Sequence, residues 1–420
     1  MSKFLVKNSG PLRGTVQISG AKNAVLPIMA ATILTDDKCE LSEVPELRDV
    51  EVMCGILESI GIEVVTNFSE NIIDTKGTGV VAEEIPCELA ILMRASILVM
   101  GPILARKGRA KISLPGGCAI GARPIELHLK GFKAMGAEIT IGDDFVEAKT
   151  AGLKGCHIYL DFPSVGATEN IIMAATLAEG VTVLENAAQE PEIVDLASFL
   201  NKLGAKIKGA GTDTIKIEGV AALHGGKHAI IPDRIEAGTF MVAAAITRGE
   251  ILIKNVMPDH IRPVIAKLRE CGVEVEESDE EVRVKADLEP LVATNIKTLP
   301  YPGFPTDMQP QFMALLSTTI GASNVIENVF ENRFMHIDEL NKMGANIAFD
   351  DRVATITPKG ALMHAEVRAT DLRAGAALVL AALHAEGTTC VSDVYHIERG
   401  YENFIQKFAK LGAVIEKVVE

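Results

Sequence analysis

Apolar, alanine-rich stretches alternate with short β-branched runs along the whole chain, and the alternation recurs six times. The stretches "NAVLPIMAATIL", "ELAILMRASILVMGPIL", "ENIIMAATLA", "EAGTFMVAAAI", "QPQFMALLSTTI" and "RAGAALVLAALH" are apolar on nearly every side of a helical turn. That pattern predicts helices buried all round rather than helices lying on a surface. Short β-branched runs such as "GVTVLENA", "GEILIKNV" and "GTTCVSDV" follow them and predict strands. A polar loop comes next, then a second helix with a single apolar face. Each second helix runs into a glycine, in "SIGIEV", "AMGAEI", "KLGAKI", "ECGVEV", "KMGANI" and "KLGAVI". These glycines, Gly61, Gly136, Gly204, Gly272, Gly344 and Gly412, lie 75, 68, 68, 72 and 68 residues apart. Glycine just past a last helical turn takes the left-handed conformation that lets the chain leave the helix.

Each unit therefore reads strand–helix–strand–helix–strand, too small to cover both faces of its own sheet, so the units must stack. The expected fold is α/β: a two-lobed inside-out α/β barrel of six such repeats, with apolar helices inside and sheets around them. Six repeats divide into two lobes of three. The strand "GTVQISG" precedes the first helix as "GKHAIIPD" precedes the fourth. The opening strand is thus expected to close the lobe of the last three repeats. This predicts one lobe from 1–20 plus 231–420 and another from 21–230, with ligands held between them.

Composition narrows the function classes. Aromatic residues make up 4% of 420 residues and tryptophan is absent, so the core is aliphatic. A net charge of −15 argues against an extended face for nucleic acid or an anionic membrane. Seven cysteines, odd in number and without a C-x-x-C pair, suit a reducing compartment and no zinc site. "MSKFLVKNSGPLRG" has no apolar leader, and "ILMRASILVMGPILA" is broken by Arg94, Gly101 and Pro102, so a cytoplasmic protein is expected. No glycine run continues into the G-K-[ST] of a phosphate loop or a dinucleotide fingerprint, and no histidine pair has zinc spacing, so neither metal nor cofactor is expected.

Chemically unusual residues collect in two loops of the repeat. The loop feeding the first helix carries Lys22 and Asn23, Ser164 and Val165, Asp233, Asp307, and Asp371 with Arg373; in the second repeat Arg94 falls within the helix instead. Helix N-termini suit phosphates and carboxylates. The loop before the second helix carries Arg48 and Asp49, the stretch "LPGGCAIGARPIEL" with Cys118 and Arg123, then Arg333 and Arg399. Taken singly, Asp233, Asp307 and Asp371 are as well explained as helix caps, and Arg48, Arg333 and Arg399 as surface ion pairs. Taken together, cations and carboxylates in equivalent loops of an acidic chain point to an anionic substrate. The glycine-rich loop of Cys118 occupies a slot lengthened to a 75-residue period, as a lid would be. The other six thiols sit in or beside helices and strands and are expected to be partly buried.

The elements "LPGGCAIGARPIEL", "FPTDMQ", "ENRFMH" and "ATDLRAG", within a match running from "SGAKNA" to "ERGY", resemble the enolpyruvyl transferase family, in the branch serving bacterial peptidoglycan synthesis. The shikimate-pathway branch shares the six-repeat fold but lacks the cysteine loop, and its "GNAGTAMR" signature is absent here. The resemblance implies transfer of the enolpyruvyl group of phosphoenolpyruvate to the 3-hydroxyl of UDP-N-acetylglucosamine, without metal or organic cofactor, by a monomer. It implies Asp307 as the base at the 3-hydroxyl and Cys118 as the acid at C3, able also to form an adduct at C2. Lys22, Arg123 and Arg399 match phosphoenolpyruvate contacts, with Asn23 beside Lys22. Arg333, Asp371 and Arg373 match positions around the reacting groups. Arg94, the run Arg123, Pro124, Ile125, Glu126 and Leu127, then Ser164, Val165 and Val329, match the lining of the sugar nucleotide. One departure stands out: "DFPSVGAT" places Phe162 where some members carry a basic residue. A paralogue that only binds the sugar nucleotide is the rival reading, and the intact Lys22, Cys118, Asp307 and Arg399 weigh against it.

Overall fold

The computed structural model describes residues 2–113, 125–287 and 290–419. Cys118, Arg123 and Pro124 lie outside the described residues. The chain is mixed α/β and divides into two compact units. A split unit is built from Met1–Ser19 and Pro232–Glu420, and a continuous unit from the described residues between Gly20 and Ile231.

The repeat governs both. All six glycines that follow the second helices have positive φ, between +90° and +103°. Six sheets form among the described residues, five of four strands and one of three. The sheets stay separate and no closed β-barrel forms among these residues; what sits inside is helical. In the split unit, Arg234–Ile246, Gln309–Leu316 and Leu372–His384 are buried almost end to end and pack on one another. In the continuous unit, Lys22–Ala31 and Met100–Lys107 both pack on Val165–Thr176. Alanine and glycine recur in Val165–Thr176, Arg234–Ile246 and Leu372–His384, where helices enclosed by sheets approach closely.

Two exchanges of strands depart from a simple array. Ser2–Lys7 lies antiparallel between Thr388–Ser392 and Val414–Val419, so the first strand completes the sheet of the last repeat. Arg13–Gln17 pairs in parallel with Glu250–Lys254, and Gly226–Ala229 in parallel with Cys39–Ser42. Each strand before a lobe's first helix thus serves the sheet of the other repeat trio. No helix among the described residues is long and apolar enough to cross a membrane.

The second repeat corrects one expectation. Its apolar stretch is not one helix but three pieces: Cys87–Ala90, a 3₁₀ segment Arg94–Val99 and Met100–Lys107. Arg94 therefore begins a helical segment, after an extended Met93, instead of lying within a helix. Asn170 donates to the Ile97 carbonyl (2.8 Å) and accepts from the Gly101 amide (2.7 Å), a polar bridge placed where the 3₁₀ segment gives way to Met100–Lys107. Cys87, at the start of the first piece, is exposed, contrary to the expectation that every thiol but Cys118 is at least partly buried. Cys54 and Cys271 do fit it; burial pushes both thiols up to about 12.

Candidate active site

In the split unit, Asp307 sits in the 3₁₀ turn Thr306–Met308 that leads into the core helix Gln309–Leu316. Pro310 occupies that helix's first turn, where a missing N–H costs no intrahelical bond. Arg333 donates to Asp307 Oδ1 at 3.1 Å, while Arg373 donates to Oδ2 from Nη2 at 3.2 Å and from Nε at 3.3 Å. Both arginines are almost wholly buried, whereas the Asp307 side chain is 26% exposed. The guanidiniums are therefore the fixed framework and the carboxylate is the part presented outward. Their planes are held by rings, Arg373 at 5.4 Å from the Tyr401 centroid and Arg333 at 5.7 Å from that of Phe330.

The alternative of helix capping now separates the aspartates. Asp233 accepts from the Ile235 and Glu236 amides at 2.8 and 3.0 Å, and Asp371 from the Arg373 and Ala374 amides at 2.8 and 3.2 Å. Both are N-caps. Asp307 makes no capping bond to the helix it precedes and is engaged by arginines instead. Capping by Asp371 also orients Arg373, two residues on. The second Asp371 oxygen is buried with no hydrogen-bond partner among the described residues. Nearby, burial holds the His336 imidazole down to about 4, with Asp371 opposing and Arg333 reinforcing that shift. His396 is lowered by burial and then by Arg399, with Asp371 opposing, so Arg399 shares the same electrostatic neighbourhood.

In the continuous unit Lys22 opens the helix Lys22–Ala31, and its ammonium lies 3.3 Å from Asp49 Oδ2. Asn23 follows it, half-buried. Arg48, next to Asp49, pairs with Glu51 at 2.8 Å with both side chains largely exposed, an ordinary surface ion pair. Ser164 caps Val165–Thr176 by accepting from Ala167 N at 3.4 Å. Ile125, Glu126 and Leu127 open the helix Glu126–Ala134, whose His128 is held down to about 4 by burial and then by Arg94. Asn170 Nδ2 lies 3.0 Å from His128 Nδ1. Asn170 thus joins three segments: that of Arg94, that of Leu127, and the helix capped by Ser164. Gly101 leaves no room for any side chain, since a Cβ there would come within 2.4 Å of Asn170 oxygens. Phe162 is exposed. Val329 stands beyond Ser323–Ile326 in the split unit.

Sequence reasoning missed Asn170, His128, His336, Tyr401 and Glu327. The available signal was a polar residue inside an otherwise apolar stretch, as in "ENIIMAATLA".

Residues 6–408 match the EPSP synthase (3-phosphoshikimate 1-carboxyvinyltransferase) family. Curated relatives are closer in sequence and bear a different name. UDP-N-acetylglucosamine 1-carboxyvinyltransferase 1 of Caldanaerobacter subterraneus subsp. tengcongensis is 60% identical over 416 residues, covering 99% of each chain. The enzyme of that name from Finegoldia magna is 58% identical over 421 residues, covering 100% of this chain and 99% of the relative. The chain belongs to the UDP-N-acetylglucosamine 1-carboxyvinyltransferase family. Among solved structures, the enolpyruvyl transferase NikO from Streptomyces tendae superposes with a TM-score of 0.91 at 24% identity, covering 100% and 99% of the two chains. EPSP synthase from Acinetobacter baumannii gives 0.75 at 17% identity over the whole of both chains. At such identities these structures speak for the fold, which this family shares with the shikimate-pathway enzymes.

Proposed function

We propose that the chain transfers the enolpyruvyl group of phosphoenolpyruvate to the 3-hydroxyl of UDP-N-acetylglucosamine and releases phosphate. The observation that carries this reading is Asp307, a part-exposed carboxylate whose two oxygens each accept from a different buried arginine. The sugar 3-oxygen bonds to C2 of phosphoenolpyruvate while a proton is added at C3, giving a tetrahedral ketal. The C2–O bond to phosphate then breaks and a proton leaves C3, restoring the double bond in the product ether.

Asp307 takes the proton from the 3-hydroxyl, and its two guanidiniums keep the acceptor oxygen aimed. Cys118 supplies the proton at C3. Lys22, Arg123 and Arg399 neutralise the phosphate and carboxylate of phosphoenolpyruvate, with Asn23 beside them. Asp371 orients Arg373 by capping its helix. Arg94, Pro124, Ile125, Glu126, Leu127, Ser164, Val165 and Val329 line the sugar nucleotide.

The test is phosphate release from phosphoenolpyruvate. Release is expected with UDP-N-acetylglucosamine present and not with either substrate alone, and the ether product should appear by mass spectrometry. A pure, folded protein that released no phosphate with both substrates would overturn the reading in favour of a sugar-nucleotide binder.

A further inference from the structure

The fifth repeat departs at one residue from the pattern shared by the first, third, fourth and sixth. In register, the residue just past the long strand of a repeat faces the end of its parallel partner. In the first, third, fourth and sixth repeats that residue is Glu43, Asn186, Asn255 or Asp393, each with φ between +53° and +57°. There Asn186 and Asn255 use their side-chain amides to bind the facing carbonyls of Leu160 and Ile18, at 2.6 and 2.8 Å. In the fifth repeat the position belongs to Glu327, which does not take a positive φ, and Asn328 makes the equivalent bond to the Thr298 carbonyl at 3.0 Å. The fold's own task is discharged by Asn328. Glu327 is left over.

Its carboxylate is nevertheless fully buried and fully used. Oε1 accepts from the Thr298 hydroxyl at 2.8 Å, the Val329 amide at 2.8 Å and the Phe330 amide at 3.1 Å. Oε2 accepts from the Thr306 hydroxyl at 3.0 Å. Four donors match the lone-pair capacity of one carboxylate. The Thr298 hydroxyl donates to the carboxylate oxygen and in turn accepts from the Asn328 amide at 2.9 Å. One oxygen thus grips the loop of Val329, and the other grips the residue before Asp307.

We propose that Glu327 is a positioning residue that locks the Asp307 turn to the Val329 loop, setting the distance between base and bound sugar. This rests on the roles given above to Asp307 and Val329. A reacting geometry is sensitive to displacements of about 1 Å, which can cost roughly 10²-fold in rate. A carboxylate with four donors removes that freedom more completely than packing alone, at the risk of leaving several buried donors unpaired when it is lost.

The experiment compares Thr306→Val, Thr306→Ser, Glu327→Gln and the Thr306→Val/Glu327→Gln double variant, below their melting temperatures. Thr306→Val deletes only the Oε2 bond, and Glu327→Gln keeps an acceptor for the Val329 and Phe330 amides. Each is expected to lower kcat roughly 10-fold, with KM for phosphoenolpyruvate nearly unchanged and the double no worse than the worse single. Thr306→Ser should restore the parent rate. Parent-like kcat in both singles, strictly multiplicative losses, or Thr306→Ser as slow as Thr306→Val would overturn the proposal. Should the parent itself release no phosphate, the functional reading fails while the clamp stays testable by hydrogen exchange. Glu327→Ala should then strip protection from the Val329 and Phe330 amides, and unchanged protection would overturn the clamp.

Discussion

Two ion pairs stand at the starts of core helices, one in each unit, and they are built in opposite senses. In the split unit the cations are sunk and the Asp307 carboxylate is the partner offered outward, held by three N–H contacts from two guanidiniums. In the continuous unit the Asp49 carboxylate is the deeper partner and the Lys22 ammonium the shallower, with one 3.3 Å contact between them. A forked, planar cation fixes an acceptor's direction; a point charge on a flexible stem leaves its own direction adjustable. The difference teaches that one unit presents a carboxylate of fixed direction and the other a positive charge of adjustable direction. Under the proposed function these are the complementary needs of a hydroxyl nucleophile and a phosphorylated acid.

The largest expected effect comes from removing the acceptor. Asp307→Asn keeps an oxygen for a guanidinium but cannot take a proton, so turnover should fall about 10²-fold or more, with UDP-N-acetylglucosamine binding retained by calorimetry. Parent-like phosphate release in this variant would reduce Asp307 to a counter-ion. Next in size, Lys22→Ala should raise KM for phosphoenolpyruvate at least about tenfold, the loss of one charge-assisted contact, and leave sugar-nucleotide affinity unchanged. A loss of sugar affinity instead would place Lys22 against the sugar nucleotide rather than against phosphoenolpyruvate. Arg373→Lys sharpens the contrast from the other side, because it keeps the charge and gives up the fork. A drop in kcat of roughly tenfold is expected, and an unchanged kcat would show that orientation is not what Arg373 contributes.

Acid sensitivity gives a smaller effect and involves both units equally. His128 and His336 are each held at about 4 by burial, below the ordinary 6.5. Between those values the unfolded chain binds protons that the fold refuses. Their contribution to stability is therefore complete above pH 6.5 and lost as pH falls toward 4. Melting temperature should decline through that window, and less steeply in His336→Gln; an identical slope would remove His336 from the account. The smallest effect is expected at Arg48→Ala, where an exposed pair with Glu51 contributes within about 0.5 kcal/mol. A larger change in activity or melting would return Arg48 to the site.

Much of the fold could be read from the chain because its determinants are local. Period, alanine-rich helix faces and the six helix-ending glycines each act within a few residues, and the φ values of those glycines agree with that reading. The division of the second repeat's apolar stretch was not legible: where its 3₁₀ segment gives way to Met100–Lys107 it is bridged by Asn170, some seventy residues away, bonding to Ile97 and Gly101. The loop of Cys118 lies outside the described residues, so the most specific motif in the sequence remains a sequence argument.

By itself the sequence determined which residue types stand at the starts of the core helices, because loop chemistry and helix punctuation are written in consecutive residues. Only the tertiary structure decided what each of them does there. Three aspartates in equivalent loops look alike in sequence, yet two bind the first amides of their own helices and the third binds Arg333 and Arg373, 26 and 66 residues further along the chain. Glu327 is the same lesson in reverse, an unremarked acid in "NVIENVF" that folding surrounds with four donors from three segments. A carboxylate's role is set by the donors that reach it, and those arrive from distant parts of the chain only when the core helices pack.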